Sequence, residues 1–172
     1  MSMSNTSKTI DIIARNGIIA GLYAALTLAC YPFAYGMIQF RISEFLVLLC
    51  FFRKDYTVGL TLGCAIANLF SPELFLWDVL IGTSATLIAC LGICFCKHLV
   101  VACILPIVAN AILVGIELSV ILEIESFIVC AAFVALGELV AMIVGYVLFM
   151  LLKKRRTFFD AIKATQNVEF KF

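Results

Sequence analysis

The segment Gln39-Phe40-Arg41-Ile42-Ser43-Glu44 puts an arginine and a carboxylate at the edge of an intensely apolar run. Glu117 and Glu138 lie within similar runs, as do the amides Asn68 and Asn110. Such groups are expensive to insert into hydrocarbon and as a rule face a bundle interior or a polar cavity. The chemistry they offer is recognition. A carboxylate accepts two parallel N–H donors, and an amide both donates and accepts. Arg41 and Glu44 are three residues apart and share a face if a helix begins there, so they can pair. That pair either pins the connection or orients Glu44 toward a ligand that Gln39 also reads. Glu117 follows Asn110 by seven residues, which sets both on one side of a helix. Either amide can instead bond to a neighbouring helix. Glu138 sits mid-run after Gly137, where an ionised carboxylate costs about 3 kcal/mol on insertion scales. It is protonated, paired, or facing a polar cavity. Trp77-Asp78 opens another run, as an interfacial anchor or as a flat platform beside a carboxylate. Tyr23 and Tyr35 are weaker aromatic candidates.

The elements that must carry these residues are membrane helices. Of 172 residues, 65% are hydrophobic and 13% charged, and the mean hydropathy is +1.17. A soluble domain is nearer half apolar and a quarter charged. The reading is an all-α membrane protein forming one domain over residues 1–172, with a short polar segment 1–15, a basic tail 153–172, and connections too short for a nucleotide-binding domain. The polar start lacks a cleavable-signal pattern. Eight cysteines lie in or beside apolar runs with no CxxC, and His98 is the single histidine. They read as small hydrophobes and not as a metal or redox site. Six apolar segments are expected: Asn16–Tyr35, Ile42–Phe52, Tyr56–Phe70, Leu76–Cys96, Leu99–Leu122 and Phe127–Leu152. The second and third fall short of the roughly 20 residues that a hydrocarbon core requires, so they are a re-entrant pair or short helices with protein-covered ends.

Charge sets the orientation. Lys8, Arg15, Arg53, Lys54, Lys97 and the six basic residues from Lys153 to Lys171 fall on one side of a six-span arrangement, and Arg41 alone falls on the other. The basic side is cytoplasmic, so both termini are expected there. Glu44, Glu73, Asp78, Glu123 and Glu125 then line an acidic outer face that concentrates cations. Span one carries Gly17, Ala20, Gly21, Ala24, Ala25 and Ala29, a small-residue surface on which a helix can dock closely. Lys153-Lys154-Arg155-Arg156 reads as a stop-transfer anchor on anionic lipid.

Several ordered blocks resemble the QueT family. Residues Ile38 to Leu46 are similar to its QFRISEAL signature, and Gly63 to Phe70 to its G-x-x-x-A-N-L-F segment. Trp77 to Leu87, Asn110 to Leu118 and Gly137-Glu138-Leu139 are similar to the remaining blocks. Phe45 and Cys50 depart from the family pattern, away from the polar positions. The resemblance implies a six-helix substrate-binding S component of an energy-coupling factor transporter in a bacterial plasma membrane. Such a protein is not an enzyme, carries no cofactor or metal and binds no nucleic acid. It imports a queuosine precursor, a 7-deazaguanine derivative. Its partners are the lipid bilayer, a T component and two ATPase subunits, with Ala20 and Ala24 in the AxxxA spacing that meets the T component. Gln39, Glu44, Asn68, Trp77, Asp78, Asn110, Glu117 and Glu138 are the expected ligand contacts, with Arg41 as a structural ion pair. The alternative is a stand-alone secondary transporter of a cationic or heterocyclic small molecule, with Glu117 or Glu138 carrying a coupling proton. No inverted repeat between the halves supports it.

Overall fold

The computed structural model describes residues 5–31, 40–71 and 75–169. Their regular elements are helical throughout: α1 (Asn5–Ala29), a 3-10 helix (Ile42–Phe51), α2 (Tyr56–Asn68), α3 (Phe75–Ile93), α4 (Leu99–Ile116) continued by a π-helical turn (Glu117–Ile121), α5 (Phe127–Leu152) and a short α6 (Arg156–Ala161). Gln39, Tyr35 and Glu73 lie outside the described residues. α1 begins eleven residues before the expected Asn16, since Asp11 and Arg15 pair one turn apart at 2.9 Å and keep the polar first turns helical.

Four helices are long and apolar enough to cross a membrane: Thr6–Ala29, Leu76–Ile93, Leu99–Ile121 and Phe127–Leu152. The other two expected spans are short. Ten residues of 3-10 helix rise about 20 Å, as against about 15 Å for an α-helix of the same length. Such a run is longer than 3-10 helices ordinarily reach, and its surroundings explain it. Consecutive helices from α1 to α5 pack side by side, and all five touch the 3-10 helix, which occupies the axis. A 3-10 helix is slimmer than an α-helix. Its sequence, ISEFLVLLCF, is apolar on every side, as an encircled element must be. Val47, Leu48, Cys50 and Phe51 are wholly buried.

The ring is tightest between α1 and α2. A Cβ on Gly59 would stand 2.6 Å from the Asn16 carbonyl oxygen, and one on Gly63 2.8 Å from that of Ala20. The Asn16 side chain closes the seam by accepting from the Gly59 N–H at 2.7 Å. The ring does not close equally at its other ends. No close packing joins α5 back to α1, and Phe45, Leu46 and Leu49 of the axial helix line the cleft between them.

Beyond the basic run Lys153–Arg156, the described tail to residue 169 is a plug. Phe158 and Phe159 stack with Phe52 and Phe149 at centroid separations of 5.3 to 6.3 Å. Beyond them the chain turns under the bundle. Asn167 Nδ2 donates to the carbonyls of Phe51 at 2.7 Å and Cys96 at 3.1 Å. Gln166 Nε2 donates to those of Cys50, Phe51 and Cys94. These are carbonyls that helix ends leave without intrahelical partners. In return, Arg15, Arg53 and Tyr56 donate to tail carbonyls. Asn167→Leu should therefore strip two buried carbonyls of a donor and lower stability by about 1–3 kcal/mol. Thermal unfolding of the purified protein in detergent checks this; an unchanged midpoint would mean that the tail does not cap the axial helix.

Candidate functional site

At the end of the axial helix opposite the tail, polar side chains from every long helix are buried together with those of its first turn. Arg41, directly before the 3-10 helix, is 5% exposed, Glu44 1%, Glu117 0% and Glu138 4%. Tyr23, Thr27, Ser43, Asn68, Asp78, Thr86 and Asn110 are buried as well. Arg41 is the hub: Tyr23, Glu44, Cys64 and Asp78 act on it electrostatically, and it acts on Glu117 and Glu138. Glu44, Asp78, Glu117 and Glu138 thus all lie within electrostatic reach of one guanidinium.

Local structure explains each placement. The Tyr23 hydroxyl donates to Glu44 Oε1. One turn further along α1, the Thr27 hydroxyl meets that of Ser43 at 2.6 Å. These contacts fix the first turn of the axial helix against α1. Glu44 also gains from the positive end of its own helix dipole. On α2, Asn68 Nδ2 donates to the Asp78 backbone carbonyl at 2.9 Å, tying α2 to the start of α3. That approach needs Gly82, where a Cβ would lie 2.7 Å from Asn68 Nδ2 and 3.5 Å from the Arg41 guanidinium. The Ser71 hydroxyl donates to Asp78 Oδ2. Thr86 turns its hydroxyl onto Cys64 Sγ at 3.2 Å and the Gly82 carbonyl at 3.1 Å. Glu117 opens the π-helical turn, a departure from α geometry that often marks functional sites.

By geometry no protein donor reaches Glu44 Oε2, Asn68 Oδ1, either oxygen of Glu117 or Glu138 Oε2, and no acceptor reaches Asn110 Nδ2, while the Glu117 carboxyl lies close to that of Asp78. Nearly all of the unreached atoms are acceptors. A buried polar atom left unsatisfied costs about 1–3 kcal/mol, and more if charged, so the arrangement suits a flat ligand rich in N–H donors, with at least one acceptor for Asn110 or Arg41. Among the described residues, no group of His, Cys, Asp and Glu is arranged to hold a metal ion.

Of the expected contacts, Glu44, Asn68, Asp78, Glu117 and Glu138 come together around Arg41. Asn110 is buried on α4, two turns before Glu117. Trp77 does not join them. It is 44% exposed, because it precedes Asp78 on α3 and one residue turns a helical side chain by about 100°. Its surface position suits an anchor and not a stacking platform. Ala20 and Ala24 are also not free to dock. Both are buried inside this chain, Ala20 against Gly63 of α2. The outward glycines and alanines of α1 are Ala14, Gly17, Gly21, Ala25 and Ala29, and the space beyond Gly17 and Gly21 is open. Sequence reasoning missed Thr27, Ser43, Cys64 and Thr86. The available signal was polar or sulfur side chains four apart on one face: Tyr23 with Thr27, and Cys64 with Asn68.

No solved structure matches the chain. It is 44% identical over 85 residues to the queuosine precursor transporter QueT of Lactococcus lactis subsp. cremoris, an alignment covering 48% of each protein. The chain thus spans about half the length of that curated relative. The family match is wider. The profile of the QueT transporter family covers residues 13–154, which takes in every helix that contributes to the cluster, from Tyr23 on α1 to Glu138 on α5. By that match the chain belongs to the QueT transporter family, a family of transporters and not of enzymes.

Proposed function

We propose that this chain is the substrate-binding S component of an energy-coupling factor importer. It captures a queuosine precursor outside a bacterial plasma membrane and passes it inward through a T component driven by two ATPase subunits. The observation that carries the ligand assignment is the surplus of unpartnered buried acceptors around a single guanidinium. A 7-deazaguanine presents N1–H and an exocyclic amine side by side. One carboxylate accepts both, as acidic side chains do when reading base edges. Its O6 accepts from the Asn110 amide or Arg41. An aminomethyl substituent adds a cation for a second carboxylate, whereas a nitrile adds an acceptor where acceptors are already in excess. The name of the Lactococcus relative supports the same ligand class.

The aminomethyl form should therefore bind the purified protein about tenfold or more tighter than the cyano form, since hydrogen bonds to charged groups are worth about 1.5–3 kcal/mol. Glu117→Gln should weaken aminomethyl-deazaguanine binding by about 2 kcal/mol or more. Titration calorimetry reads both quantities. Equal affinity for the two forms, together with an unaffected Glu117→Gln protein, would remove the ligand from this cluster.

The importer reading has six membrane-crossing elements, with both termini in the cytoplasm. The 3-10 helix and α2 are the two short spans, their ends covered by protein. The one-sided distribution of basic residues supports it. In a protein freed of native cysteines, single cysteines at Ser7 and Ser126 should label from opposite sides of the membrane. Labelling of both from one side would refute the six-span count.

With Ala20 and Ala24 buried, we assign the T-component contact to the outward face of α1 around Gly17, Gly21 and Ala25. Small residues there permit close helix approach. Gly21→Trp should leave ligand binding in detergent within about twofold of the parent, yet abolish uptake by cells that carry the ATPase module. Ala24→Trp, pointing inward, should instead destabilise the isolated protein. Normal uptake in Gly21→Trp cells would exclude this face as the contact.

A further inference from the structure

The cleft between α1 and α5 is not used by the cluster or by the transport reading. It encloses about 440 Å³. Ile18 and Leu22 form one wall and Leu148 and Leu152 the other, with Phe45, Leu46 and Leu49 of the axial helix as the floor. Ile18 on its α1 wall is 71% exposed. Phe158 and Ile162 close it at the tail end. The basic run Lys153-Lys154-Arg155-Arg156 crosses that end, directly between the lining residues Leu152 and Phe158. Arg15, which also lines the cleft, is already paired with Asp11. The ion pairs formed at this end join Asp11 to Arg15 and Lys163, and Asp55 to Arg53. None involves Lys154, Arg155 or Arg156, which are exposed.

We propose that this cleft is a binding site for one anionic phospholipid, with an acyl chain lying along the axial helix and the headgroup phosphate held by the basic run. A slot lined by aliphatic and aromatic side chains, with Arg15 and Tyr56 as its polar members, fits an alkyl chain, and the surplus positive charge at its mouth fits an anionic headgroup. Clusters of basic residues at a helix end attract anionic lipid. The slot adds what a bare basic cluster lacks, a chain-sized cavity that limits binding to a single molecule. A lipid there completes the wall that the ring of helices leaves open.

Native mass spectrometry of the full-length protein, titrated with dioleoyl phosphatidylglycerol or dioleoyl phosphatidylcholine, tests this. The parent should retain one phosphatidylglycerol in preference to phosphatidylcholine by about tenfold or more. Changing Lys154, Arg155 and Arg156 together to Ser should erase the preference while weak binding of either lipid persists. Ile18→Trp, which narrows the slot from an exposed position, should lose the retained lipid without changing the thermal midpoint. Glycerol 3-phosphate, a headgroup without chains, should not compete. Equal retention of the two lipids by the parent would overturn the site. So would phosphatidylglycerol binding indifferent to Ile18→Trp, which marks plain charge adsorption, or displacement by glycerol 3-phosphate, which marks an anion site without a chain.

Discussion

A buried 3-10 helix on the axis of a membrane bundle cannot leave either end without hydrogen-bonding partners, because there is no water at that depth to supply them. The tail answers that constraint at the last turn, and side-chain bonds from α1 hold the first turn in place. At the first turn, α1 reaches in with Tyr23 and Thr27 to hold Glu44 and Ser43. At the last turn, the tail folds under the bundle and gives Gln166 and Asn167 to the free carbonyls. The buried polar cluster and the tail plug are opposite ends of one rod about 20 Å long. Moving the rod along its axis would disturb both at once.

In the proposed role, the same geometry gives the cluster its selectivity. Carboxylates and amides set in apolar surroundings interact more strongly than they would in water, and unpaired ones are correspondingly costly. Glu44, Glu117 and Glu138 each keep an oxygen without a protein donor. A ligand that supplies those donors gains the full benefit, while one that lacks a donor leaves a buried group stranded. Discrimination by missing hydrogen bonds is far sharper than discrimination by size in an apolar pocket. The helices around the cluster supply rigidity through close contacts, such as Gly82 against Asn68.

Much of this was legible in the sequence because membrane burial makes polar residues conspicuous. Glu44, Glu117 and Glu138 stand out against their apolar runs, and the i+7 spacing of Asn110 and Glu117 places them on one side of α4. Less visible was anything that depended on which helix lies beside which. Ala20 and Ala24 have the spacing of a docking face, but so does Gly59 with Gly63, and the two surfaces meet inside the chain. Trp77 is adjacent to Asp78 in sequence, yet helical rotation carries it outward. The 3-10 geometry of Ile42–Phe51 follows from encirclement by five helices, which no local pattern encodes. The tail reads as mixed and polar, and its role emerges only once the carbonyls it caps are known.

The central claim is that the buried cluster around Arg41 is where the transported molecule sits. The most direct test is an experimental structure of the protein bound to aminomethyl-deazaguanine. The account predicts the heterocycle between the first turn of the axial helix and α4, with its N–H edge within hydrogen-bonding distance of Glu44 or Glu117 and its ammonium on a second carboxylate of the cluster. Ligand density anywhere else, with Glu44, Glu117 and Glu138 untouched, would contradict it.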